Sequence, residues 1–374
     1  MTLIAATLTA FLASLIGSRM VVALGVLDAP TSVRKVHAAP TPTSGGIAIG
    51  VAIAIAIAVA CAPPLRDWAY ALSPGDIARL GLCLATAFVL LLIGVVDDLR
   101  PLSARPKFSL MALIAWLYAA FVAHAQGFAL TAHVGVDFGW ALGIAGSALF
   151  FFTLVNTVNF MDGANGLAIG STAIGTAGLG VICAVHGAPH LGLACAIAAA
   201  AMAGFLVWNF PAGRLFAGDA GSLFVGGLAA GLSLIAVQDA GISIFIPPIL
   251  FFPMLADVLL TLAWRVGQRR PLMKAHRDHL FQIGLRAKLT HRRVTLTYWL
   301  LAIHCALVAF LASYGPRIAI GGEGQMADAP LAFQLAAWAA AAAPIVAWAV
   351  LALVAIKVSA HVRAYARRVG LDGE

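Results

Sequence analysis

The chain has 374 residues, of which 62% are hydrophobic and only 10% charged, with a mean hydropathy of +0.98 and a formal net charge of +8. A soluble globular domain carries roughly 25% charged residues, so a chain this poor in charge lacks the polar surface to face water and must be solvated by lipid. These proportions exclude a soluble domain of ordinary size, and the basic excess reflects membrane topology and anionic headgroups without any need for nucleic acid.

Apolar windows of about 20 residues predict eleven spans in chain order, near 2–24, 45–62, 77–96, 108–124, 138–157, 167–186, 190–208, 219–237, 244–264, 297–314 and 331–357. The first lacks a basic leader and a clear cleavage site, so it reads as a spanning helix and not a removed signal peptide. Cys61, Cys83, Cys183, Cys195 and Cys305 lie in or beside these segments without paired spacing. They read as small buried hydrophobes, with neither disulfides nor a zinc site expected.

With the N-terminus periplasmic, most of the 23 basic residues fall in cytoplasmic loops or the C-terminal tail, and only Arg66 and Arg317 lie in periplasmic loops. The opposite orientation would export Arg265, Arg269, Arg270, Lys274, Arg277, Arg286, Lys288, Arg292 and Arg293, against the positive-inside bias. The expected architecture is therefore an all-α polytopic membrane protein of about 11 transmembrane helices, N-terminus periplasmic and C-terminus cytoplasmic. Residues 1–374 are expected to form a single integral-membrane domain with functional cytoplasmic loops near 25–44, 97–107, 156–166, 209–222 and 265–296. No internal repeat is visible, which weighs against the common transporter architectures.

Of the 15 acidic residues only two are Glu. Asp97, Asp98, Asp162, Asp219 and Asp278 sit in or at the edges of the cytoplasmic loops, and Asp257 lies inside a span about two turns before Arg265. Ionised groups near the hydrocarbon are costly and mark function, and here all are tied to one membrane face.

Four loops carry the chemistry. Gly94-Val95-Val96-Asp97-Asp98-Leu99 ends an apolar helix on two adjacent carboxylates, followed by Lys107. Adjacent carboxylates raise each other's pKa unless a cation compensates, so a divalent metal or Lys107 fits there; a solvated helix end is the plainer reading. Asn156-Thr157-Val158-Asn159-Phe160-Met161-Asp162-Gly163-Ala164-Asn165-Gly166 places hard oxygen ligands at a span exit. A simple turn would not need Asn156 and Asn159 one helical turn earlier. Phe210-Pro211-Ala212-Gly213-Arg214-Leu215-Phe216-Ala217-Gly218-Asp219-Ala220-Gly221-Ser222 is Gly-rich and opens a helix, a phosphate-favouring arrangement that lacks the Gly-Lys-Ser/Thr of a P-loop. Helix capping by Asp219 explains it equally well. Ala275-His276-Arg277-Asp278-His279 holds a His-x-x-His pair without an obvious third ligand, so a diphosphate contact through imidazole and guanidinium donors fits better than a transition metal.

The first cytoplasmic loop, with Lys35 and His37 ahead of Pro40 and Pro42 and the Gly45-Gly46 pair, reads either as a stiff phosphate-facing loop or as an ordinary basic connector.

Together and in order, RKVHAAPTPTSGG, GVVDDLRPLSARPK, NTVNFMDGANGLA, FPAGRLFAGDAGSLFVGG and AHRDHLFQIGL resemble the polyprenyl-phosphate N-acetylhexosamine-1-phosphate transferase family, from Arg34 to about Arg293. The resemblance implies a bacterial inner-membrane enzyme in which undecaprenyl phosphate attacks the sugar-linked phosphorus of a UDP-N-acetylhexosamine, with its active site facing the cytoplasm. The products are a lipid-diphospho-sugar and UMP. The branch that makes the peptidoglycan lipid precursor carries three consecutive His in the last loop; AHRDHLFQ lacks them and is closer to the O-antigen-initiating branch (WecA- and WbpL-like). Asn165 stands where many relatives have a second Asp, as in that branch.

Phosphoryl transfer needs mainly positioning and charge neutralisation. On this reading Mg²⁺, with Mn²⁺ as the alternative, is held by Asp219 and Asn159 with Asp162 beside them. Asp97 and Asp98 orient or deprotonate the lipid phosphate and Lys107 compensates charge, with Asp162 counted among the catalytic residues as well as the metal ligands. Lys35, His37, Asn156, Asn165, Gly166, His276, Arg277 and His279 bind substrate: the last three clamp the diphosphate, and Asn165 and Gly166 meet the uracil. A homodimer is compatible with this reading. A phospho-MurNAc-pentapeptide transferase is the alternative enzyme, and a transporter is the alternative class, which would place its ionisable groups near the bilayer midplane.

Overall fold

A computed structural model of the chain describes residues 1–24, 27–28, 41–62, 65, 72–129, 135–274, 276–320 and 331–371. The helices are α1 (Thr2–Leu24), α2 (Gly45–Cys61), α3 (Pro74–Leu99), α4 (Ala104–Phe121), α5 (Gly139–Met161), α6 (Leu167–Val185), α7 (Pro189–Asn209), α8 (Gly218–Asp239), α9 (Ile246–Leu250), α10 (Phe252–Gly267), α11 (Leu280–Arg286), α12 (His291–Ile320) and α13 (Leu331–Arg368). Two short antiparallel pairs complete the described elements: Leu27–Asp28 with Thr41–Pro42, and Gly127–Ala129 with Gly135–Asp137.

The protein is an all-α integral membrane protein. Each apolar segment predicted above overlaps a helix, ten of them one helix each and 244–264 two. Among the described residues, eight helices are long and apolar enough to cross a bilayer. The segments outside that group differ for physical reasons. Helix α2 has only 17 residues. The first turn of α4 carries Arg105 and Lys107. The predicted span at 244–264 is broken at Phe251 into α9 and α10. Pro247, Pro248 and Pro253 remove backbone donors on both sides of that break, and proline at these positions stops or starts a helix.

Helix α8 is the centre of the bundle: 94% of its spanning window is buried, against 6% for the window Ala342–Arg368 in α13. It packs on α2, α3, α5 and α6. In lipid no hydrophobic force drives helices together, so close contact depends on small residues that bring backbones within van der Waals range. Two contacts at the start of α8 show this. A Cβ on Gly46 of α2 would stand 2.2 Å from Gly221 Cα, and one on Gly94 of α3 would stand 2.4 Å from Ala220 Cα. Both partner atoms are backbone and cannot swing away. The ends of α2 and α3 are thereby drawn onto the first turn of α8.

The peripheral α13 is fastened near its C-terminal end. Arg363 is buried, donates to Thr261 Oγ1 at 2.9 Å and to the Asp278 carbonyl at 3.3 Å, and stacks on Trp264 at 4.2 Å from the ring centroid.

Gly46→Val should destabilise the protein by about 3 kcal/mol, the upper range for overpacking a closed contact. Thermal unfolding in detergent measures it; an unchanged midpoint would mean that α2 and α8 do not touch at Gly46 and Gly221.

Candidate active site

The first turn of α8 collects side chains from α3, α4 and α5. An α-helix begins with backbone N–H groups that lack intrahelical partners and carry partial positive charge. Here the cap comes from another helix. The Asp98 carboxylate, at the end of α3, accepts the N–H of Asp219 at 2.9 Å and the N–H of Ala220 at 3.1 Å. Gly218 has φ +71°, and a Cβ on it would meet the Asp98 carboxylate at 2.5 Å, so glycine is required both by the turn and by the approach. The alternative reading in which Asp219 caps its own helix does not hold: Asp219 lies inside the first turn, and Asp98 from α3 supplies the cap.

With its own backbone held, Asp219 turns its carboxylate toward the other elements. Lys107 Nζ, from α4, lies 2.5 Å from Asp219 Oδ2 and 2.5 Å from Asp97 Oδ2, bridging α3 and α8. Asp97 also accepts the Leu102 N–H at 2.6 Å, which shapes the turn that delivers Lys107. Asn159, near the end of α5, donates to Asp219 Oδ1 at 2.8 Å and to Ser222 Oγ at 2.9 Å. Asp97, Asp98, Lys107, Asn159 and Asp219, predicted from separate loops, thus form one connected cluster.

Asp162 follows the last turn of α5. Its carboxylate has no hydrogen-bond partner among the described residues. Enclosure away from solvent, then the charges of Asp219 and Asp98, push it up to about 7. Four carboxylates therefore lie close to one another, and the Lys107 ammonium pairs with two of them, Asp97 and Asp219.

That excess of negative charge and the hard oxygen donors fit a divalent cation of the Mg²⁺ type. No three acidic, His or Cys side chains are gathered as a ready-made metal cage among the described residues. Mg²⁺ does not require one, because it binds through one or two carboxylates plus water and substrate phosphate. Asp162, lacking a donor, and Asp219 are the side chains suited to hold it.

Other predicted residues also make contacts that join the loops. Gly166 has φ +77°, donates its N–H to Asn209 Oδ1 at 2.5 Å and accepts from Trp299 Nε1 at 3.0 Å. Asn165 donates to the Pro211 carbonyl at 3.0 Å, and its own carbonyl accepts from Thr295 at 2.7 Å. These polar groups stitch the 162–166 turn to the 209–214 loop and α12. Asn156 is buried, bonded through its amide NH₂ to the Phe152 carbonyl, with Oδ1 unpartnered. Lys35 and His37 lie outside the described residues.

In the last loop His276 and His279 have ring centroids 5.1 Å apart. His279 lies 6.2 Å from the Phe160 ring, and a Cβ on Gly163 would meet Phe281 at 3.0 Å. The loop thus rests on the 160–163 turn that carries Asp162. Arg277 lies between the two His and is partly exposed. Asp278 pairs with Arg265 and lies 3.6 Å from Arg270.

Sequence reasoning left Asp257 and Asp278 without a role and missed Asn209, Ser222, Tyr298 and Arg363. Asn209 is buried and joins the Gly166 N–H to the Leu215 carbonyl, tying two loops together. Asp257, Thr261 and Arg265 recur every four residues and are all buried. That spacing puts them on one face of a helix, a polar stripe visible in the sequence. The other residues carry no such signal.

Residues 80–237 match the model of glycosyl transferase family 4. The chain is 26% identical over 313 residues, 82% of its length and 83% of the relative's, to a probable undecaprenyl-phosphate N-acetylglucosaminyl 1-phosphate transferase of Bacillus subtilis. It is 32% identical to the phospho-N-acetylmuramoyl-pentapeptide-transferase of Corynebacterium diphtheriae over 49% of this chain and 54% of that one. It is also 27% identical to the Geobacillus kaustophilus transferase of that name over 72% and 82%. Over much of its length the chain is thus similar to transferases named for moving a sugar phosphate onto a polyprenyl-phosphate carrier.

Asp162 gives the metal-free protein a specific pH dependence. Its native pKa of about 7 is above the ordinary value of 3.8, so its ionisation opposes folding. The stability it permits is complete below the ordinary value and is lost as pH rises through the native one. In EDTA, Asp162→Asn should raise the thermal midpoint at pH 8 by roughly 2 °C or more and leave it unchanged at pH 4. An equal shift at both pH values would mean that the carboxyl is not held near its neighbours' charges.

Proposed function

We propose that the protein transfers an N-acetylhexosamine 1-phosphate from a UDP-sugar to undecaprenyl phosphate at the cytoplasmic face of the bacterial inner membrane, releasing UMP, as the initiating step of O-antigen or another surface polysaccharide. The observation that carries the proposal is the cluster at the start of α8, where Lys107 bridges Asp97 and Asp219 beside the donor-free Asp162. The B. subtilis relative supports the acceptor class by its name. The excess of Lys and Arg in the loops that share this end of the bundle supports the cytoplasmic orientation.

The acceptor phosphate oxygen attacks the sugar-linked phosphorus, the bond from that phosphorus to the bridging oxygen breaks, and UMP leaves with that oxygen. The acceptor, a phosphate monoester, is already largely ionised near neutral pH, so proton removal contributes little. Positioning and charge neutralisation carry the rate.

Lys107 and Asp97 flank the acceptor phosphate, the ammonium lowering repulsion between two anionic reactants. Asp98 keeps the first turn of α8 in register, so that Asp219 and Asn159 stay aimed at the donor. Bound Mg²⁺, with Mn²⁺ as a substitute, would be held by Asp219 and Asp162 and would neutralise charge on the diphosphate. His276, Arg277 and His279 donate to the diphosphate from the opposite loop. Asn165 and Gly166 hold the 162–166 turn through backbone and amide contacts, and reach the donor uracil only through what that turn exposes.

A donor panel with purified protein and undecaprenyl phosphate tests the proposal: UDP-N-acetylglucosamine, UDP-N-acetylfucosamine, UDP-N-acetylquinovosamine and UDP-MurNAc-pentapeptide, with UMP release as the readout. Release with one of the three UDP-N-acetylhexosamines, dependent on the lipid and abolished by EDTA, is expected. Turnover of UDP-MurNAc-pentapeptide alone would assign the protein to the peptidoglycan branch, and release without lipid would overturn the transfer reaction. Asp97→Asn, Asp98→Asn and Asp219→Asn should each lower the rate by about 100-fold or more; full activity in Asp219→Asn would remove it from the site.

A further inference from the structure

Asp257 is 1% exposed and lies on α10, away from the cluster at α8. A buried carboxylate is costly unless its lone pairs are used, and here they are heavily used. Oδ1 accepts the Leu280 N–H at 2.8 Å and the Thr261 hydroxyl at 3.2 Å. Oδ2 accepts the Phe281 N–H at 3.1 Å and the Tyr298 hydroxyl at 2.6 Å. The carboxylate thus holds the start of α11 as Asp98 holds the start of α8, and through Tyr298 it ties that turn to α12.

One further contact brings the carboxylate to the His279 ring. His279 Nδ1 lies 3.5 Å from Asp257 Oδ1 and is sealed from solvent without a full hydrogen bond. The backbone N–H of His279 donates to Gln282 Oε1 at 3.2 Å, which holds the residue at the start of the turn. The ring is wedged between Phe160, His276 and Phe281 at centroid distances of 6.2, 5.1 and 6.1 Å. Of its two nitrogens, Nδ1 is therefore committed inward against a carboxylate. A carboxylate there favours a proton on Nδ1, fixing both ring orientation and tautomer.

We propose that Asp257 is a positioning residue for the donor side of the site: it pins the 279–281 turn and turns His279 Nδ1 inward, so that Nε2 is the nitrogen presented to the donor diphosphate. The inference rests on the reading of His279 as a diphosphate contact. A carboxylate that merely stabilised α11 would show the same backbone bonds, and its loss would damage both substrates' binding alike. A carboxylate that acts through His279 should affect the donor alone, and only while His279 is present.

A double-mutant cycle separates these cases. KM for the UDP-sugar selected by the donor panel and KM for undecaprenyl phosphate are measured for wild type, Asp257→Asn, His279→Ala and the double variant. Asp257→Asn should raise donor KM about tenfold, in the range found for outer partners of a ligating His, with acceptor KM unchanged. In the His279→Ala background it should add nothing. Tyr298→Phe, which keeps the carboxylate and removes one hydrogen bond, should raise donor KM about threefold and carries the same cycle if Asp257→Asn does not fold. Additive losses, or an equal rise in acceptor KM, would overturn the inference and leave Asp257 a structural cap. A donor KM raised by His279→Ala but not by Asp257→Asn or Tyr298→Phe would remove the inference alone. An unchanged donor KM in His279→Ala would remove the reading of His279 itself, and the inference with it.

Discussion

The site depends on one carboxylate. Asp98 satisfies two backbone N–H groups at the start of α8, and leaving such donors bare in a buried place costs roughly 1–3 kcal/mol each. The cap is possible only because α3 and α8 approach to backbone contact at Gly94. Once α8 is anchored, Asp219 is freed from capping and its side chain can meet Lys107 and Asn159. The same small-residue contacts that assemble a bundle in lipid therefore also set the chemistry at its polar end.

The polar end is built twice on one principle. At α8 and at α11 a carboxylate from a neighbouring helix accepts the first N–H groups, and beside each cap stands a residue that the proposed reaction sets against substrate: Asp219 in one case, His279 in the other. The first half gathers negative charge around the Lys107 ammonium, an arrangement suited to a cation and a phosphate acceptor. The second half gathers imidazole and guanidinium groups, suited to a diphosphate. Phe160, Gly163 and Phe281 join the halves by ring packing, so the Asp162 turn lies against both.

The helices were legible in the sequence because a span needs a long apolar run, and each such run overlaps helix. The broken span at 244–264 was less so: its prolines were visible, but an apolar run continues through them and hides the break at Phe251. The acidic cluster was legible because Asp97, Asp98, Asp162 and Asp219 recur at span exits on one face. The division of labour among them was not, since adjacent Asp97 and Asp98 look equivalent until the position of α8 makes one a lysine partner and the other a cap. Asn165 and Gly166 show the reverse case. Their composition reads as ligand-binding, and in the structure several of their polar groups also bond to Pro211, Asn209, Trp299 and Thr295, contacts between segments far apart in sequence that no local pattern reveals.

The central claim is that the start of α8 and the Asp162 turn together form the nucleotide-sugar and cation site. Thermal unfolding of purified protein with UMP and Mg²⁺, against either alone, tests it without relying on turnover. Wild type should be stabilised by the pair far more than by either component, and Asp219→Asn and Asp162→Asn should stay folded but lose that synergy. Undiminished stabilisation by UMP and Mg²⁺ in both variants would contradict the account and place the cation elsewhere.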